Sequence, residues 1–347
     1  MKYSEETLYV LAISEYKKYD GSAISGNKTF SATDFRKLSS DSNFENFRNK
    51  CETKIDDLDR FAKLQNGIKI VLDGDCYDDY EGEKPQFSHN DYMVLSALRE
   101  YVDGIISVFD SEFPKIYTTV ENDGDKPYLL FYKGDVSLLD DIGKNVAVIG
   151  LINPEGTIKE RAVKAVNELV KGGMNIVSGL AKGCDTIAHR ACIDAGGKTI
   201  AILPSPLAQI FPAENRELAE EIVDRGGLLL SEYYKKPATK FDATKRFIDR
   251  DRLQAMFSKA ILLSASYREG EGDSGSRHAM KKAEDYDLFR AMIYNQSTDA
   301  SNPQFFLNKD YFEQNKNVHI ITKTVLNRMI DYVVPCNRYA MQGQLSL

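Results

Sequence analysis

Between Lys144 and Asn215 short apolar runs alternate with longer segments in which apolar residues recur at helical spacing. Val146-Ala147-Val148-Ile149 is a continuous apolar run ending in Gly150, the pattern of a parallel strand buried on both faces. Ile158, Ala162, Val163, Val166, Leu169 and Val170 then follow a helical period, and Thr157 with Glu160 three residues on predicts a capping box. Gly172-Gly173 ends that helix. Met174–Val177 reads as a second strand, and the turn after it presents Asp185 as the N-cap of a helix over 186–195. Gly196-Gly197 and a third strand, Thr199–Leu203, complete the unit.

Two strand–helix–strand units with short connections predict a right-handed, doubly wound, mainly parallel α/β sheet of Rossmann-like type. Such sheets bind ligands beyond the carboxyl ends of their strands, which selects the loops 150–156, 178–185, 204–215 and 264–276. The second and fourth place backbone amides beside helix N-termini, where phosphate is a natural guest. No loop carries Gly-x-Gly-x-x-Gly or a P-loop, which argues against an ordinary dinucleotide or NTPase site.

Beyond this unit the pattern predicts a helix over 216–224 opened by Asn215, strands at 228–230, 260–265 and 288–294, a polar linker over 295–303, and a last strand and helix at 318–321 and 323–332. Ahead of it, helical periodicity at 5–16, 33–38 and 90–102 predicts a smaller, mainly helical N-terminal domain. The organisation expected is 1–104 helical, 105–295 sheet, and 296–347 linker with a small extension.

Ser178-Gly179-Leu180-Ala181-Lys182-Gly183-Cys184-Asp185, with His189 four residues on, resembles the signature of the DprA/Smf family of DNA-processing proteins. The same order continues through Phe211-Pro212-Ala213-Glu214-Asn215, Leu229-Leu230-Ser231-Glu232-Tyr233, Phe247-Ile248-Asp249-Arg250-Asp251-Arg252 and Ser274-Gly275-Ser276, and begins upstream at Phe113-Pro114 and Pro127–Asp135. The resemblance covers roughly residues 105–295. It implies a non-enzymatic, homodimeric protein that binds single-stranded DNA and hands it to the RecA recombinase. The DNA or phosphate site it implies comprises Ser178, Gly179, Lys182, Gly183, Asn215, Arg250, Arg252, Ser274, Gly275 and Ser276, with Asp185 and His189 structuring the loop. Gly150-Leu151-Ile152 stands where the family usually has Gly-Ser-Arg, and Ser264 where it often has an acid. A pocket altered at both places leaves open a nucleotide-sensing or nucleotide-cleaving protein, and the unusual N-terminal domain leaves open an antitoxin-like or phage-defence partner protein on the same scaffold.

Charge sharpens the picture. The 347-residue chain carries a net charge of −7, so a DNA site must be a local patch. Within 235–282, twelve Lys and Arg stand against six acids, the footprint a phosphate backbone asks for. Lys182 sits between glycines at a strand end and offers a point charge; a lone surface lysine is the alternative. For Arg250 and Arg252 the alternative is a salt bridge to Asp249 or Asp251. The acidic run 73–83 fails the calcium-loop template, since Tyr77 stands at a ligand position, and no cofactor or metal is indicated. No Ser–His–Asp or Cys–His pattern supports catalysis, and with no tryptophan any base stacking falls to Tyr, Phe or Arg. Five cysteines without C-x-x-C, no signal-like start and no transmembrane-length run fit a soluble cytoplasmic protein. The terminal Gln344-Leu345-Ser346-Leu347 resembles a truncated sliding-clamp-binding peptide.

Overall fold

The computed structural model describes residues 1–19, 24–28, 35, 43–74, 89–114, 120–273 and 275–333. It divides into two compact units. Unit 1 comprises Met1–Val136 with Ser205–Gln209 and Leu230–Pro237, and unit 2 the remainder. The predicted helix at 33–38, the acidic run from residue 75, and the Gln344–Leu347 peptide lie outside the described residues, apart from Phe35.

Unit 1 holds α1 (Glu5–Glu15), a β1–β2 hairpin (Lys17–Tyr19, Ile24–Lys28), α2 (Phe44–Glu52), α3 (Leu58–Asp73), α4 (His89–Tyr101) and an antiparallel pair, β3 (Gly104–Ser107) with β4 (Leu129–Gly134). Ser4 caps α1 by accepting the Thr7 amide at 3.0 Å, and Thr7 to Ser14 are all buried. A helix apolar on every side belongs inside. Periodicity did not single out α2 or α3, for identifiable reasons. α2 buries only Phe47 and Cys51, too narrow a stripe to stand out, and α3 carries Asn66-Gly67 mid-helix, where propensity is poor. Their caps are nonetheless well formed: Asn43 and Asp57 each accept an N3 amide, and Gly74 closes α3 at φ +88°.

Tyr9 lies at the centre of this core, with ring centroids 5.5 Å from Phe44 and 5.2 Å from Phe61. Its hydroxyl is buried and finds no hydrogen-bond partner among the described residues, and burial drives its pKa upward. An orphaned buried hydroxyl costs stability that its removal restores. Tyr9→Phe is therefore expected to raise unfolding free energy by about 1 kcal/mol in urea melts; a destabilised variant would show that the hydroxyl has a partner.

Unit 2 carries β5 (Asn145–Ile149), α5 (Gly156–Lys171), β6 (Asn175–Ser178), α6 (Cys184–Asp194), β7 (Thr199–Leu203), α7 (Arg216–Asp224) and β8 (Leu228–Ser231), the strand along which the chain returns to unit 1. There follow α8 (Lys240–Met256), β9 (Ala260–Leu263), α9 (Ser276–Asp285), β10 (Phe289–Met292), α10 (Gln296–Asp299), α11 (Phe306–Glu313), β11 (His319–Ile320) and α12 (Lys323–Val333). The sheet order is β11-β10-β9-β5-β6-β7-β8. The pairs β11-β10, β10-β9, β9-β5, β5-β6 and β6-β7 are parallel, so the doubly wound α/β expectation holds. Every residue of β5, β7 and β9 is buried, which is why these strands read as unbroken apolar runs.

Three local expectations fail. α5 starts at Gly156 with Glu155 at the N-cap and no side-chain cap, so Thr157 and Glu160 form no capping box. Asp185 lies inside the first turn of α6, with Gly183 at the N-cap. The stretch 295–303, read as a polar linker, is part of the packed unit: Asp299 is buried, accepts the Asn295 amide at 2.7 Å and pairs with Arg161 at 2.8 Å. Asn308 is fully buried, accepting the Ser266 amide at 3.2 Å and donating to the Ile293 carbonyl at 2.9 Å. Its polarity serves strand-end backbone groups rather than solvent.

Candidate nucleic-acid interface

The predicted binding residues that are described all fall in unit 2, and the loop 179–183 at the end of β6 is the centre of the arrangement. It turns through Leu180 at φ +58° and Gly183 at φ +74°. A Cβ on Gly183 would lie 2.2 Å from the Ile152 carbonyl oxygen and 2.3 Å from that of Leu151, so only glycine lets this loop close on the one after β5. Inside the loop, the Asp185 carboxylate accepts the amides of Gly179 and Ala181 at 3.1 and 3.3 Å. Asn215 donates to the Leu180 carbonyl at 2.8 Å and to Thr186 Oγ1 at 2.9 Å. Ser178 donates to the Val148 carbonyl at 2.7 Å. Two of the amides that the sequence offers a phosphate are thus already held by Asp185.

Arg250 lies beneath the loop with 5% of its surface exposed. Its Nη1 is 3.6 Å from Asp185 Oδ2 and its Nε 3.4 Å from Asp251 Oδ1. A Cβ on Gly179 would fall 1.0 Å from that Nη1, so Gly179 is the space the guanidinium fills. Burial pushes the Asp185 carboxyl up, against the pull of Arg250 and the loop amides, and pushes Asp251 up to about 7. Arg252 is also buried and donates to the Asp249 carbonyl. Neither arginine presents its charge at the surface.

His189 is fully buried, with Nδ1 2.6 Å from Thr199 Oγ1 on β7. Thr199 gives its own proton to the Ile176 carbonyl at 2.8 Å, so the histidine carries its proton on Nδ1. Burial lowers its pKa to about 3, which keeps it neutral. Its partner is thus a strand residue, while the loop itself is tied by Asp185 and Asn215. Cys184 is buried with its thiol pushed up to about 12, which makes it inert.

At the surface the loop presents Lys182, its side chain 50% exposed and its Nζ 2.6 Å from Oε1 of the more open Glu214 carboxylate. Phe211, 55% exposed, stands three residues before Glu214, its ring 5.8 Å from Phe247. Gly275 and Ser276 lie at the start of α9, where Ser276 donates to the Gly150 carbonyl at 3.1 Å; Ser274 lies outside the described residues. The basic stretch 235–282 is largely neutralised within the chain. Arg246 pairs with Asp242 at 3.0 Å, Lys245 with Asp249 at 2.5 Å, Arg268 with Asp310 at 2.6 Å and Arg277 with Glu269 at 2.8 Å. Among the described residues no cluster of His, Cys, Asp and Glu is placed to hold a metal ion, and no helix is long and apolar enough to cross a membrane.

Residues 104–302 match the family model of DNA recombination-mediator protein A. The chain belongs to that family. Among curated members it is 32% identical over 196 residues to DNA processing protein DprA of Bacillus subtilis, covering 56% of this chain and 62% of the relative. It is 36% identical over 151 residues to DprA of Streptococcus pneumoniae, covering 42% and 50%. The match thus spans little more than half the length of these relatives. In structure the chain is similar to DprA of S. pneumoniae, with TM-score 0.54, 23% identity and coverage of 93% and 96%, which speaks for the fold. It is also similar to DprA of Helicobacter pylori, with TM-score 0.52, 27% identity and coverage of 65% and 94%, a structure described for its single-stranded DNA binding mode. The family match includes both loops just described and extends through Asn302.

Proposed function

We propose that this chain is a non-catalytic, cytoplasmic mediator that grips single-stranded DNA by its phosphates, without reading sequence, and as a homodimer passes it to a RecA-type recombinase. The DNA would lie on the rim formed by Lys182, Gly183 and the start of α9 at Gly275 and Ser276. The observation that carries the reading is Lys182. Its ammonium stands at the end of a parallel strand, beside the glycine that lets the backbone turn, and it pairs with an exposed carboxylate. Exposed pairs are worth little, so a phosphate can replace Glu214. Phe211, on the segment that carries Glu214, would supply an open aromatic face for a base, a sequence-tolerant contact. Buried Arg250, Arg252, Asp185 and Asn215 then serve by holding the loop rather than by touching DNA.

The test is fluorescence anisotropy of a labelled oligonucleotide across a salt titration. Because so much of the basic stretch is paired internally, the logarithmic salt slope is expected to be shallow, about −2. Lys182→Ala is expected to weaken binding about fivefold and to flatten the slope by about 0.7. Absence of wild-type binding at low salt would overturn the proposal.

A further inference from the structure

The order of strands reverses between β5 and β9: β6, β7 and β8 run out on one side of β5, and β10 and β11 on the other side of β9. In a doubly wound sheet this reversal is where a mononucleotide or dinucleotide places its phosphate, against backbone amides of the loop after the first strand. Here that amide has a guest from the chain itself. The Ile152 amide donates to Asp273 Oδ2 at 2.6 Å, a short, charge-assisted bond of the kind a phosphate oxygen makes. The Asp273 backbone is held in turn, its carbonyl accepting the Tyr267 amide at 3.3 Å. The loop after β5 is tied to the chain at its far end as well. Gln304 accepts the Glu155 amide at 3.0 Å and donates to the Asn153 carbonyl at 3.1 Å, which fastens the loop after β5 from the other side. The local charge is unfavourable for a further anion. Asp185 and Asp251 already face Arg250, and Asp273 adds to the negative field that raises Asp251.

We propose that Asp273 is a specificity-determining residue that occupies the phosphate position at the switch point, excluding mononucleotides and free phosphate and leaving phosphate contact to the Lys182 rim. Two anions do not share one amide in a field that is already negative. The substrate class this admits is a polymer laid across the outside of the strand ends, not a small phosphorylated ligand inserted between them.

Inorganic phosphate and thymidine monophosphate titrated into the full chain by calorimetry provide the test, with thermal melts confirming folding. Wild type is expected to show no saturable binding at millimolar ligand. Asp273→Ala uncovers the amide and is expected to bind either ligand at least about tenfold more tightly than wild type. Asp273→Asn keeps an oxygen on the amide while removing the charge, and is expected to stay within about twofold of wild type. Saturable wild-type binding would overturn the proposal, and so would an alanine variant that gains nothing or an asparagine variant that gains as much as alanine. Should the alanine variant fail to fold, the wild-type titration and the asparagine variant still decide it. Single-stranded DNA binding is read in the same samples, so loss of the DNA reading and loss of this inference are separate results.

Discussion

Arg250→Ala is expected to lower the unfolding free energy by about 3–5 kcal/mol at neutral pH, the cost of stranding a buried charge pair. The guanidinium lies between Asp185 and Asp251 and is almost wholly buried. Its removal leaves two carboxyls in low dielectric and opens a void beside Gly179. The sign of the pH dependence follows. Both carboxyls already titrate above their ordinary range because burial disfavours the charged form. Their stabilising effect is therefore complete below the unfolded carboxyl range and is lost as pH rises through the folded values, Asp251 doing so at about 7. Without Arg250 both values rise further. The deficit of the variant is expected to be largest near pH 8 and smaller near pH 5, where the stranded carboxyls are protonated. Urea melts at the two pH values read this directly. A variant of near wild-type stability that had lost DNA affinity would place Arg250 on the DNA and overturn the buried arrangement.

The division between what was legible in the sequence and what was not follows from where polar groups go. β5, β6 and β7 are legible because a strand covered on both faces has no polar position, so Val146–Ile149 and Thr199–Leu203 stand out without an alignment. The loop 178–185 is legible for a similar reason: Gly179 and Gly183 answer steric demands that are local to the strand end. Capping residues were misplaced because a side chain has other calls on its oxygen. Asp185 turns back to Gly179 and Ala181 instead of capping α6, and the Glu155 amide is satisfied by Gln304, about 150 residues on. The same holds for 295–303, whose polarity resembles that of a linker until buried Asp299 is seen to accept the Asn295 amide and to pair with Arg161. The basic stretch misleads in the opposite direction. Its charges add up along the sequence, yet in space Arg246, Lys245, Arg268 and Arg277 each meet a carboxylate, so the sequence count overstates the charge left for a phosphate backbone.

Gly183→Ala is expected to cost about 2–4 kcal/mol, and a matched glycine elsewhere shows why. Gly183 adopts φ +74° with ψ −121°, the first central position of a mirror-image turn, which L residues with a side chain avoid. The added methyl also meets two carbonyl oxygens, those of Ile152 and Leu151, at 2.2 and 2.3 Å. Neither is a flexible side-chain end, and the Leu151 oxygen is fixed by the Cys184 amide at 2.8 Å. Gly196 has nearly the same φ, +76°, but nothing within 4 Å of its Cβ position. Gly196→Ala carries the cost of a positive φ without a steric contact, expected to be about 1 kcal/mol. The excess of the first variant over the second combines the less favourable φ,ψ of Gly183 with the contact between the loops after β5 and β6, and urea melts of the two read it. At a temperature where both variants remain folded, Gly183→Ala is also expected to weaken oligonucleotide binding, because Lys182 must move with its neighbour, while Gly196→Ala is not. Equal losses of stability in the two variants would mean that the loops do not meet at Gly183, and with that the rim on which the DNA reading rests would lose its backbone.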